Sequence, residues 1–162
     1  MTPEDLVELE EIKRLKYRYA RFLDQKDWDG VAGCFAEDAT AAYGGKTGKL
    51  EGRDAIMAFL RGALEPTTRI TTHAMGHPEI ELTGPQSATG TWSLHDEVID
   101  TKLGFVVRGA SVYADEYVKT DGGWRLKHTG YKRIYEELSK RPDNTRLTAS
   151  WWETGGKSQL VP

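Results

Sequence analysis

One cysteine, Cys34, occurs in 162 residues, which excludes an intrachain disulfide and any zinc site built on several thiolates. Four histidines leave little other material for a metal centre. A cationic excess is missing too. The 22 Lys and Arg stand against 25 Asp and Glu, for a formal charge of −3, so nothing is set to neutralise nucleic-acid phosphates or an anionic bilayer. No apolar run approaches the roughly 20 residues of a membrane span, and the opening Met1-Thr2-Pro3-Glu4-Asp5 lacks the charged-then-apolar layout of a secretory leader. The reading is a cytoplasmic chain with neither nucleic acid nor membrane as partner. Nucleotide loops are also lacking: Gly44-Gly45-Lys46-Thr47-Gly48-Lys49 has the wrong spacing for one, and no Gly-x-Ser-x-Gly elbow occurs.

What is there suffices for one domain over residues 1–162, since 38% of the residues are hydrophobic and the length supports one core rather than two. Between Leu6 and Leu23 the residues Leu9, Ile12, Leu15, Tyr19, Phe22 and Leu23 recur at steps of three and four, the mark of an amphipathic helix. A shorter helix is expected from Trp28 to Phe35, capped by Asp27, and a third from Asp54 to Leu64. The second half changes character. Stretches rich in Thr, Val, Ile, Tyr and Trp, divided by turn signals such as Thr83-Gly84-Pro85 and Asp121-Gly122-Gly123, predict four antiparallel strands at about 69–82, 88–101, 105–119 and 124–136. Helices followed by a meander define an α+β fold, and helices packed on a curved sheet make a cone whose mouth is an apolar pocket. The core runs over about 6–138; the tail 139–162 holds Trp151 and Trp152, which suits docking on a neighbouring subunit better than solvation.

Polar residues on apolar faces are the candidates for chemistry. Period two places Asp96 with Ala88, Gly90, Trp92 and Leu94, and an inward carboxylate needs a partner or a purpose. Asp24 ends the first helix, where the dipole disfavours its charge, although a turn residue bonded to the next helix would look the same. Tyr19 lies on the buried face of that helix, so its phenol needs a partner or a cavity. His73 and His77 share a strand face with Met75 ahead of Pro78, and with Asp96 or Asp24 they make at most a weak metal pattern. Arg133, between Tyr131 and Tyr135, suits a buried carboxylate or an anionic substrate, yet Trp124 and Leu126 have the opposite parity unless a bulge intervenes. Cys34 reads as core.

Several strings together resemble the SnoaL-like branch of the nuclear transport factor 2-like superfamily, especially bile acid 7α-dehydratase and more distantly scytalone dehydratase. They are residues 12–24 (IKRLKYRYARFLD), Trp28-Asp29, His73 with Gly76 and Pro78-Glu79-Ile80, residues 88–92 (ATGTW) with Asp96, and residues 129–134 (TGYKRI). The resemblance implies a cystatin-like cone, a homo-oligomer (dimer or trimer), a hydrophobic small-molecule substrate and no metal or cofactor. Residue by residue it carries catalytic roles onto Tyr19, Asp24, His73, Asp96 and Arg133, with Trp92, Met75 and Tyr113 as pocket lining. His73 fits because the alignment through Pro78 then needs no gap, while the family's differently arranged His-Met-Gly-His leaves His77 as the alternative. The implied activity is acid/base dehydration of a hydroxylated, carbonyl-conjugated steroid-like or polycyclic substrate. Isomerisation, epoxide opening by an Asp24–Arg133–Asp96 set, polyketide cyclisation and non-catalytic binding of a hydrophobic ligand stand as alternatives on the same scaffold.

Overall fold

Thr2 starts the first helix with a reciprocal capping box: its hydroxyl accepts the Asp5 N–H at 3.2 Å while Asp5 accepts the Thr2 N–H at 2.7 Å. This helix, α1 (Pro3–Gln25), buries Ile12, Leu15, Lys16, Tyr19, Ala20 and Leu23. It stops at Lys26, whose left-handed backbone (φ 56°) returns its N–H to the carbonyls of Phe22 and Leu23. Asp27 then caps α2 (Trp28–Gly33) by accepting the Gly30 N–H at 2.9 Å. The computed structural model describes residues 1–45 and 48–160. Lys46 and Thr47 of the lysine-containing glycine loop, and Val161 and Pro162 of the tail, lie outside the described residues.

The second helix is shorter than its pattern predicts, because Phe35 opens a strand, β1 (Phe35–Ala42), that the sequence reading leaves out. After β2 (Leu50–Glu51) and α3 (Arg53–Leu64) come four long strands, β3 (Arg69–Gly84), β4 (Ser87–Asp100), β5 (Phe105–Thr120) and β6 (Gly123–Lys140). The six form one sheet in the order β2-β1-β6-β5-β4-β3. β1 pairs with β6 in parallel and the other neighbours are antiparallel. The helices lie on one face of this curved sheet, and Ile12, Leu15, Tyr19, Phe35, Ile56, Tyr117 and Leu126 fill the space between.

Bulges set which side chains face inward. In β6 the register passes from Tyr117↔Leu126 to Glu116↔His128, so Lys127 is an extra residue. The buried parity switches there from Trp124 and Leu126 to Thr129, Tyr131 and Arg133, which resolves the conflict in the pattern. A second bulge places Ile134 between Arg133 and Tyr135. In β3 the register shifts between Gly76 and Glu79, and His77 takes φ 49° there with an exposed side chain.

The outer edge of β3 has no strand partner among the described residues, and unpaired edges invite association. The end of α1 covers part of it: Asp24 accepts the His73 N–H at 2.9 Å, and Lys26 Nζ donates to the Arg69 carbonyl at 2.9 Å and to that of Leu64.

Candidate active site

A cavity of about 160 Å³ lies between the helices and the sheet, walled by apolar Leu23, Phe59, Leu60 and Val98 among others. Tyr19, Tyr43, His73, Asp96, Tyr113, Tyr131 and Arg133 supply its polar and aromatic groups. Four of the five catalytic candidates therefore border one space, and the fifth stands directly behind.

That fifth is Asp24. Its Oδ1 accepts His73 Nδ1 at 2.6 Å and the Thr71 hydroxyl at 2.9 Å, while Oδ2 accepts the His73 backbone N–H. With the carboxylate as acceptor, the imidazole donates from Nδ1, and its Nε2 has no hydrogen-bond partner among the described residues. The geometry holds the ring by two separate bonds to one carboxylate. His73 is 11% exposed and Asp24 24%, so the pair is shielded but not sealed. His77, at the bulge, borders neither this cavity nor the cleft outside it. Among the described residues no group of three or more His, Cys, Asp or Glu is disposed to hold a metal ion.

Across the cavity, Arg133 closes on both oxygens of Asp96, with Nη2 to Oδ2 at 3.0 Å and Nη1 to Oδ1, and Nη1 also reaches the Ser111 hydroxyl at 3.2 Å. Nη2 meets Glu136 at 2.9 Å. Burial works against the charge on Arg133, but the bonds to Asp96 outweigh it and hold the guanidinium above its ordinary range. Its Nε–H is buried and has no hydrogen-bond partner among the described residues, a donor whose bonding capacity is unspent. Gly109, cross-strand from Asp96, permits this arrangement: a Cβ there would lie 2.5 Å from Arg133 Nη1.

The third element is phenolic. Tyr19 Oη lies 3.0 Å from Tyr43 Oη, and Tyr43 stacks on Phe59 at 5.6 Å. Burial, reinforced by neighbouring phenols, pushes Tyr19, Tyr43 and Tyr113 well above the ordinary phenol range. All three stay protonated donors through the neutral range. Tyr43 was not among the sequence candidates, because it follows an alanine-rich strand with no apolar pattern to give its direction.

The three expected pocket-lining residues lie apart. Of the three only Tyr113 borders the cavity. Met75 lines a second, outer cleft. Trp92 lines neither: it is fully buried in the core, donates its indole N–H to Tyr117 Oη at 2.8 Å, and packs edge-on to Tyr17. The tail does not lie free: Trp152 packs over Lys26 of its own chain at 4.9 Å.

A curved α+β cone enclosing a carboxylate-backed histidine, a carboxylate-bound arginine and a phenol pair defines a scaffold suited to acid/base chemistry on a small molecule. The chain matches the SnoaL-like domain over residues 4–130 and belongs to that family, of the nuclear transport factor 2-like superfamily. Solved structures agree on the fold. A candidate scytalone dehydratase from Novosphingobium aromaticivorans superposes with a TM-score of 0.78 at 24% identity, over 91% of this chain and 100% of its own. A hexachlorocyclohexane dehydrochlorinase, LinA type 2, gives 0.76 at 18% identity, over 87% and 97%. LinA type 3 from Novosphingobium barchaimii gives 0.74 at 16%, over 90% and 97%. No helix among the described residues is long and apolar enough to cross a membrane.

Proposed function

We propose that this chain is a cofactor-independent lyase of the cytoplasm that removes water from a hydroxylated ring conjugated to a carbonyl. The observation that carries the reading is the Asp24–His73 pair, which leaves an unpartnered Nε2 at a cavity that also presents the Tyr19–Tyr43 phenols. His73 Nε2 takes a proton from the carbon made acidic by the carbonyl, and Asp24 stabilises the resulting imidazolium. The electron pair moves onto the carbonyl oxygen, which accepts a bond from Tyr19 as it becomes an enolate. The enolate then collapses, the carbon–oxygen bond breaks, and His73 returns its proton to the departing hydroxyl as water. Asp96 holds both terminal nitrogens of Arg133, and the pair at the cavity wall orients the polar groups of the substrate.

Two structural neighbours named for eliminations, a dehydratase and a dehydrochlorinase, support the same class. One alternative fits less well. Epoxide opening by an Asp-Arg-Asp set needs Asp24 on Arg133, whereas Asp24 is turned to Thr71 and His73. Cavity size bears on the substrate. At about 160 Å³ it is smaller than the roughly 300–1,000 Å³ of sites for drug-sized ligands, which favours one or two rings over an entire steroid. A homo-oligomer accords with exposed apolar Val112, Ile134 and Leu138 on β5 and β6.

Purified protein mixed with a hydroxynaphthalenone or a 7-hydroxy-3-oxo-4-ene steroid is expected to extend the substrate's conjugation, visible by absorbance, with the bicyclic compound preferred. His73→Ala is expected to lose about 10²–10⁴-fold in rate. If neither compound binds or reacts and His73→Ala behaves as wild type, the lyase reading is abandoned. A pH–rate profile separates an enzyme from a binding module, which has none.

A further inference from the structure

Outside the reaction cavity, on the other side of His73, a cleft of about 530 Å³ opens between the C-terminal half of α1, the edge of β3 and residues Trp151 and Trp152. This volume lies within the range usual for small-molecule sites. Tyr17 from the helix, Trp151 and Trp152 from the tail and Met75 from the strand give it a mainly aromatic wall. Trp151 is 57% exposed and Tyr17 44%, so large rings stand open in a concave surface, where exposed apolar area marks binding.

This wall is constructed rather than draped. Ser150 is buried; its hydroxyl accepts the Glu153 N–H at 2.9 Å, and its carbonyl accepts the N–H groups of Thr154 and Gly156 at 3.2 and 2.9 Å. Those bonds close a turn around the two indoles, and the contact of Trp152 with Lys26 anchors it to α1. The turn that carries the two indoles is thus formed before anything binds.

Charge distinguishes the polar end. Arg21 lines the cleft, rests against Phe22 at 5.5 Å, and has no ion-pair partner among the described residues. Asp24, the one carboxylate among the described residues that line the cleft, already holds three donors from Thr71 and His73. A free guanidinium beside open aromatic rings matches a flat apolar molecule carrying a negative group.

We propose that this cleft is a second binding site, for a planar aromatic or polycyclic anion whose rings lie against Trp151, Trp152 and Tyr17 and whose charge meets Arg21. It does not require the lyase reading, and its test uses no turnover. The probes are 8-anilinonaphthalene-1-sulfonate and its neutral counterpart N-phenyl-1-naphthylamine, followed by fluorescence including energy transfer from tryptophan. One sulfonate is expected to bind per chain. Arg21→Gln, an exposed and fold-neutral change, is expected to weaken the sulfonate about tenfold, the size of one charge-assisted bond, and to leave the neutral probe within about twofold. Trp152→Ala is expected to weaken both probes about tenfold. Ala63→Met, at a residue of α3 that lines the reaction cavity and not the cleft, is expected to change neither. The proposal is overturned if Ala63→Met abolishes binding, if Arg21→Gln leaves sulfonate affinity unchanged, or if the neutral probe binds as tightly as the anion. None of these outcomes bears on the dehydration assay.

Discussion

Two charge pairs sit about the core of this protein under different conditions. Lys16 and Asp115 are both fully buried, 2.7 Å apart. Asp115 also accepts Tyr117 Oη at 2.8 Å and the Thr129 hydroxyl at 2.7 Å, and Lys16 lies 3.7 Å over the Tyr113 ring. Lys16, Asp115, Tyr117 and Thr129 do not line the reaction cavity; only the Tyr113 ring beneath the ammonium does, among the described residues. Arg133 and Asp96, by contrast, are 24% and 6% exposed, border the cavity and leave Arg133 Nε without a partner. A network with its bonds made rigidifies a fold, whereas the second pair keeps one donor unspent beside a cavity. Burial alone does not distinguish the two pairs; the unspent bond and the neighbouring cavity do.

The comparison breaks most visibly at the closed pair. Lys16→Met strands the Asp115 carboxylate in the core and is expected to cost about 3–5 kcal/mol of stability in urea unfolding. Lys16→Met combined with Asp115→Leu should recover part of that loss, because no lone charge remains. At the open pair the expected balance is reversed: Asp96→Asn should lower dehydration about a hundredfold while costing less stability than Lys16→Met. Equal stability losses at the two pairs would erase the distinction.

A finer test lies at Gly109. Ala at this position meets Arg133 Nη1 and the backbone of Tyr135, and about a tenfold drop in kcat is expected as the guanidinium is displaced. On an Arg133→Lys background the same change should cost little further activity, since the obstructed nitrogen is gone.

The smallest expected effect concerns Lys26, whose half-buried ammonium is lowered to about 8, chiefly by desolvation. Its folded value lies below the unfolded one, so between about pH 8 and 10.5 the unfolded chain holds more protons and stability rises with pH from this group. Thermal melts at pH 7.5 and 9.5 should show that rise in wild type and less of it in Lys26→Gln.

The long elements were legible because their periodicity is strong. The α1 pattern from Leu9 to Leu23 and the alternation around Asp96 each correspond to one buried face. β1 was not, because alanines carry little strand preference and its inward Ala39 and Ala41 look like helix formers. Arg133 could not be oriented from its own strand, since the bulge at Lys127 that turns it inward has no local signature. Lys16 and Asp115 were invisible as a pair for another reason. Each sits in an otherwise ordinary amphipathic segment, and only the fold brings them together across 99 positions of sequence.

The bond from the His73 backbone to Asp24 has a further consequence. The carboxylate that orients the histidine also occupies an edge donor that another chain's strand would otherwise find, so one side chain serves as both brace for the proposed base and guard against self-association. Fraying of the last turn of α1 would release both at once. On mild heating, loss of activity and the onset of β-rich aggregation are expected to follow a single time course, and Asp24→Asn, which keeps only part of this bonding, should bring both forward together.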